Sequence, residues 1–189
     1  MNMKTKRTPL ALVLASLFAA GSAHAASEAT EAVPAAEENS RIAVEWNDPT
    51  QLTEYRRARD AADKREVTSS LKTLSRHLRT RADRMLPEGQ SLSVRITDLD
   101  LAGEYEPWSG ARYDHVRIIR STYPPEIKLT YALRDAQGQV LREGETTLRD
   151  PGFQLGISPV DHNPLRYEKR MLDNWLRREF SEQAATAQN

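Results

Sequence analysis

The sequence predicts an α+β fold, a two-layer domain in which an antiparallel-rich sheet of four to five strands carries two helices on one face. Two segments repeat apolar residues at helical spacing, and they enclose segments in which apolar and polar residues alternate. Each predicted strand has one apolar and one polar face, which indicates a sheet covered on one side only. The predicted order is β-α-β-β-β-β-α, and it favours a two-layer α+β domain.

The first strand and the first helix are expected within residues 41–86. Apolar residues alternate through 41–46, and Pro49 then marks a turn. From about residue 60 to residue 86 the spacing is helical, until Pro87 and Gly89 end the pattern. The apolar stripe of this helix comprises Val67, Leu71, Leu74, Leu78 and Met85.

The remaining strands are expected at residues 91–98, 115–120, 127–134 and 140–148. Apolar and polar positions alternate in most of them, and Gly138 offers a hairpin turn between the last two. The polar strand face is a surface on which a partner could dock; its candidate residues are Arg95, Lys128, Thr130 and Arg134.

A second helix is expected to begin at Asn163, which is a good N-cap, with Pro164 at the first helical position. Its apolar stripe comprises Leu165, Leu172, Trp175, Leu176 and Phe180. We therefore expect one domain over residues 41–180, followed by a disordered C-terminal tail over 181–189.

The N-terminal region predicts export. Three basic residues precede an uncharged apolar run over 10–20, and Ala23 and Ala25 supply the small residues of a signal-peptidase site. Residues 1–25 are therefore expected to be a cleavable signal peptide, and the Ala- and Glu-rich residues 26–40 a disordered tail. The expected location is the periplasm, with no membrane insertion after cleavage.

Composition excludes several classes of function. The chain has no cysteine, so disulfides, thiol catalysis and cysteine metal sites are ruled out. It has 27 basic and 27 acidic residues, and such a balance gives no overall field that would attract nucleic acid. No nucleotide-binding or hydrolase fingerprint occurs, and we expect no cofactor.

Acidic residues near the end of one predicted strand are the candidate metal ligands. Asp98 and Asp100 lie two positions apart and so share a strand face, and Glu104 and Glu106 follow. Oxygen ligands of this kind suit Ca²⁺, but the spacing matches no EF-hand loop, and a polar loop before a glycine explains the same residues. His115 would complete an enzymatic alternative, a small metal-dependent or hydrolytic site with Asp98 and Asp100.

Two other clusters are unusual. On the last helix, Lys169 falls between apolar positions of the stripe and Glu168 falls on its Trp175 edge. A lysine at such a position must extend its ammonium to water, pair with a carboxylate or face a ligand, and we favour the first two, structural outcomes. In the loop that follows Glu106, Trp108 is either an anchor on the core or an exposed aromatic side chain for binding.

These motifs resemble a known bacterial family. The segments DLAGE at 100–104, EPW at 106–108 and NPLRYEKRMLD at 163–173, with Trp175, are similar to the domain of unknown function DUF3016. The resemblance covers roughly residues 41–180 and implies an exported, single-domain protein with no assigned activity.

The sequence favours a non-catalytic binding or scaffolding module of the bacterial envelope over an enzyme. Its partner is expected to be an unidentified envelope protein or ligand. The candidate binding residues are Glu106, Trp108, Arg166, Glu168 and Lys169.

Overall fold

The computed structural model describes residues 40–106, 116–155 and 163–186. The six strands are β1 (Ile42–Trp46), β2 (Ser91–Asp100), β3 (Glu104–Tyr105), β4 (Arg117–Ile118), β5 (Glu126–Arg134) and β6 (Val140–Arg149). The helices are α1 (Thr53–Arg57), α2 (Ala61–Met85) and α3 (Arg166–Thr186), with a 3-10 turn at Pro49–Gln51 before α1. The predicted signal peptide, most of the N-terminal tail, Trp108, His115 and His162 lie outside the described residues.

The main sheet has four strands in the order β1-β2-β5-β6. β1 runs parallel to β2, because α2 carries the chain back between them, and the other two pairs are antiparallel. A bulge between Ile96 and Asp98 shifts the register of β2 against β5. This α+β architecture confirms the predicted fold class.

Both long helices pack on one face of this sheet. The inward residues of the strands and the stripes of α2 and α3 form one buried cluster, which includes Val44, Leu92, Leu129, Leu74 and Leu172. Burial of this apolar surface is the main force that holds the two layers together. The outward positions of the central strands, such as Arg95 and Thr130, are exposed or half-buried.

The α2 helix forms where its caps and stripe predict it. The Asp60 side chain accepts hydrogen bonds from the backbone N–H groups of Ala62 and Asp63, which would otherwise lack partners at the helix start. In the predicted stripe, Val67, Leu71, Leu74 and Leu78 are buried, and Met85 is partly buried against the core. Among the helices of the described residues, none is long and apolar enough to cross a membrane.

Two predicted elements differ from the structure. The strand expected at 115–120 is reduced to β4, which pairs with β3 in a separate two-stranded ribbon and lies outside the main sheet. The α3 helix begins at Arg166, so Asn163 and Pro164 precede it and are neither its N-cap nor its first residue. Leu165 adopts a left-handed conformation with φ of 58°, and its carbonyl accepts the first helical hydrogen bond, from Lys169. The helix also includes residues 181–186, which we expected in the tail.

Candidate functional site

A tight turn follows β2 at residues 101–103 and leads into the β3–β4 ribbon. Gly103 has a φ of +86°, and a Cβ atom at this position would lie 2.6 Å from Ile119 Cδ1 and 2.8 Å from the Ile118 carbonyl oxygen. Only glycine combines this backbone angle with so close a neighbour. The glycine of the DLAG segment is therefore required by the backbone geometry of this turn.

Carboxylates from two distant helices bind the backbone amides of this turn. Leu101 N donates to Glu54 Oε2 at 2.8 Å, and Ala102 N donates to Glu168 Oε1 at 2.8 Å. The third amide, Gly103 N, donates to the Tyr123 carbonyl at 3.0 Å. Glu54 and Glu168 are only 5% and 2% exposed, so α1 and the start of α3 are tied to the same three residues.

Arg117 on β4 completes this network. Its guanidinium forms an ion pair with Glu54 and also donates to the Gly103 carbonyl at 2.9 Å. It lies over the Tyr105 ring, 4.8 Å from the centroid. Glu106, which is 3% exposed, is held nearby by Arg120 at 2.9 Å and by the Tyr123 hydroxyl at 3.1 Å.

Burial dominates the electrostatics of the two clamping carboxylates. It raises the pKa of Glu54, although the charge of Arg117 and the Leu101 amide oppose the rise. Burial also raises the pKa of Glu168, against the hydrogen bond from the Ala102 amide. In each case the carboxylate is buried away from water and its hydrogen bond holds the backbone of the 101–103 turn in place.

A cleft of about 400 Å³ opens beside the 101–103 turn. One wall is the hydroxyl-bearing side of α2, and the opposite wall is the start of α3 together with the residues before it. Arg166 in that wall lies 4.7 Å from the Tyr167 ring centroid and donates to the Tyr167 hydroxyl at 3.0 Å. The lining residues are Glu66, Ser69, Ser70, Thr73, Leu101, Ala102, Arg117, Ile119 and residues 163–168.

The structure places only some of the five predicted binding residues at the cleft. Arg166 and Glu168 line the cleft. Glu106 is buried against Arg120 behind the turn and is not a lining residue. Trp108 lies outside the described residues.

Lys169 is not the buried charge on α3. It is half-buried, and its ammonium donates to Asn163 Oδ1 at 2.6 Å. The buried positions of α3 are spaced so that Glu168, and not Lys169, belongs to the apolar stripe; they are Glu168, Met171, Leu172, Trp175, Leu176 and Phe180. Leu165, which anchored the predicted stripe on the lysine side, stands outside the helix.

The acidic residues at the end of β2 bind the protein's own donors. Asp98 accepts from Thr53 N at 2.8 Å and from Thr53 Oγ1 at 2.9 Å, and Lys128 approaches it at 3.3 Å. Burial alone would raise the pKa of Asp98, but these hydrogen bonds lower it. Asp100 pairs with Arg57 at 2.7 Å, and Glu104 lies 3.5 Å from the same guanidinium. Within the described ranges, no three acidic or histidine residues are arranged to hold a metal ion.

Sequence reasoning missed Glu54, Arg117 and Ser69 as parts of this site. Glu54 lies in a five-residue helix that has no apolar periodicity, and Arg117 looks like an ordinary outward position of a short strand. For Glu168, the sequence did hold a usable signal. Leu172, Trp175 and Leu176 alone determine which face of the helix is apolar, and without Leu165 that face includes Glu168.

The fold and the site define a class of protein, an α+β domain in which buried carboxylates from two helices hold a glycine turn beside a cleft. Residues 40–178 match the family described as "Protein of unknown function (DUF3016)", and the chain belongs to that family. No curated protein and no solved structure is significantly similar to this chain.

Proposed function

We propose that this chain is an exported protein of the bacterial envelope that acts as a non-catalytic binding module, and that the cleft beside the 101–103 turn is its ligand site. The observation that carries the proposal is the clamp of Glu54 and Glu168 on the backbone of the turn. A buried ionic network of this kind adds little stability compared with apolar packing, so its value lies in a fixed geometry. A binding site requires that the residues in contact with its ligand are held in fixed positions.

The lining of the cleft favours a small ligand or one short peptide segment that has both apolar and polar groups. Ser69 and Thr73 offer hydroxyl groups on one side, and Arg166 offers a cation on the other. Leu101 and Ile119 form an apolar floor between them. A volume of about 400 Å³ lies within the range of small-molecule sites and is too small to receive a folded domain.

The enzymatic alternative lacks support in the described residues. Asp98 accepts a hydrogen bond from Thr53 at the start of the α1 helix, and Asp100 accepts one from Arg57 at its end. An acid–base pair needs groups that are free to exchange protons with a substrate, and these carboxylates already accept several hydrogen bonds each.

Filling the cleft tests the proposal directly. Ser69 is exposed and lines the cleft from α2, so Ser69→Trp should occupy the space without removing a core contact. Lys72 is exposed on the same helix but does not line the cleft, and Lys72→Trp is the matched control. Each protein is immobilised and exposed to an envelope extract, and the retained small molecules and peptides are identified by mass spectrometry.

The expected result is a component that wild type and Lys72→Trp retain equally and that Ser69→Trp retains at least about tenfold less, because the indole occupies its place. Thermal melts check that both variants are folded. Equal retention by all three proteins would show that the cleft is not the site.

A further inference from the structure

The two edges of the main sheet are finished differently. On β1, the protein itself binds three of the outward backbone groups. Ser40 Oγ accepts from the Ile42 N–H at 3.3 Å and donates to the Ile42 carbonyl at 3.2 Å, and Arg79 donates to the Val44 carbonyl at 3.0 Å. Covering an edge in this way prevents pairing with another strand.

The other edge, β6, is long and open. Its ten residues pair with β5 and, within the described part of the chain, with no other strand. Asp135 N donates to the Gln139 carbonyl at 3.0 Å, which makes these two residues a hydrogen-bonded pair, and a one-residue bulge in β6 follows. Because hydrogen-bonded pairs alternate along an antiparallel ladder, the backbone groups of the even-numbered residues from Arg142 onward point toward β5. The outward backbone groups therefore belong to Glu143, Glu145, Thr147 and Arg149.

The sequence of β6 is complementary to itself in one antiparallel register. When Thr146 lies opposite Thr146 of a second copy, Glu143 of each chain lies opposite Arg149 of the other, and the outward backbone groups of Glu143, Glu145, Thr147 and Arg149 all pair. Opposite charges on directly facing residues stabilise an antiparallel pair. A register centred on Glu145 would instead place two glutamates face to face.

Further features agree with an added strand. Val140 and Leu141 at the start of β6 are 45% and 46% exposed, although both are large apolar residues. A groove of about 300 Å³ between β6 and α3 leaves room for side chains of the incoming strand.

We propose that two copies of this chain associate through β6, in antiparallel register about a two-fold axis at Thr146, to form a continuous eight-stranded sheet. An isologous contact of this kind closes on itself, so it yields a dimer and no longer polymer. The proposal is independent of the cleft and of its ligand.

Charge reversal on the two facing residues is the sharpest test. In sedimentation equilibrium, the wild-type mass should rise from that of one chain to that of two as concentration increases. Glu143→Arg and Arg149→Glu should each raise the dissociation constant at least about tenfold, because two pairs of like charges then face each other. An equimolar mixture of the two variants should recover the dimer, because each altered residue then faces an opposite charge.

Glu88→Arg and Arg76→Glu are the controls, since both residues are exposed and lie away from β6. They should leave the dimer unchanged. Hydrogen exchange on the wild type gives a second readout, with protection of the amides of Glu143, Glu145, Thr147 and Arg149 only at concentrations where the dimer forms. A wild type that remains monomeric, a dimer indifferent to the two reversals, or a mixture that stays monomeric would overturn the proposal.

Discussion

Glu168 shows how one buried carboxylate joins packing to a possible function. It occupies a position in the apolar stripe of α3, and its Oε1 accepts the hydrogen bond of the Ala102 amide at 2.8 Å. An apolar residue in its place would leave that amide buried without an acceptor, which carries a large free-energy cost. The glutamate therefore links the start of α3 to the turn beneath the cleft.

We expect Glu168→Ala to lower the free energy of unfolding by about 1–3 kcal/mol, because the Ala102 amide loses its acceptor. Glu168→Gln keeps an acceptor oxygen of the same shape and should cost less than half of that at neutral pH. Denaturant unfolding of the three proteins measures both values. Equal losses for the alanine and glutamine variants would contradict the role of the hydrogen bond and point to the charge itself.

The same residue gives a pH dependence with a definite sign. Burial raises the pKa of Glu168 above its ordinary value of 4.5, so its contribution to stability is fully present below that value and is lost as pH rises through the raised pKa. Glutamine does not titrate. The stability of Glu168→Gln relative to wild type should therefore increase from pH 4.5 upwards and level off once Glu168 is ionised. A relative stability that falls over this interval would mean that the pKa is lowered.

At the scale of the elements, periodic burial was predictable and irregular contacts were not. The stripes of α2 and α3 follow from spacing alone, because a helix that packs on a sheet must be apolar at 3.6-residue intervals. The β3–β4 ribbon and the α1 helix are two to five residues long, and they exist because Arg117, Glu54 and the 101–103 turn bind one another. Contacts between residues 47 or 63 positions apart leave no periodic trace in the sequence.

The start of α3 illustrates a related error. Asn163 and Pro164 have the chemistry of a helix start, yet the left-handed Leu165 delays the helix to Arg166. A leucine with positive φ is sterically unfavourable, and local preference does not predict it. Lys169 lies beside the buried stripe and donates to Asn163, whereas Glu168 occupies a buried position within the stripe.

The buried stripes of α2 and α3 predict a large loss of stability when one of their leucines is truncated. Leu74→Ala on α2 and Leu172→Ala on α3 should each lower the free energy of unfolding by about 2–5 kcal/mol, because both side chains are fully buried and each truncation leaves a cavity. Lys72→Ala on the exposed face of α2 is the control and should change stability by less than about 0.5 kcal/mol. Losses for the two leucine variants no larger than that of the control would mean that these helix faces do not pack on the sheet.

At the scale of the whole molecule, the absence of cysteine is consistent with the proposed export. The chain has no cysteine, so no disulfide ties its stability to the redox state of its compartment. In the described ranges, burial of the apolar cluster between the helices and the sheet stabilises the domain. The cleft is lined by α2, by residues 163–168 and by the segments near the 101–103 turn, and none of its lining residues belongs to β6. A dimer through β6 would therefore leave both clefts accessible to ligands.

Export itself gives the last prediction. The pattern of basic residues, apolar run and small residues over 1–25 should direct cleavage after Ala25, so that the mature chain begins at Ala26. Intact-mass analysis of the periplasmic fraction measures this directly, because each alternative cleavage site gives a different mass. As a control, Ala25→Lys places a long charged side chain where the signal peptidase requires a small one, and the precursor should then accumulate at the membrane. A wild-type product that keeps Met1 and sediments with membranes would contradict cleavage. The protein with the proposed binding cleft would then be anchored to the membrane and would not be free in the periplasm.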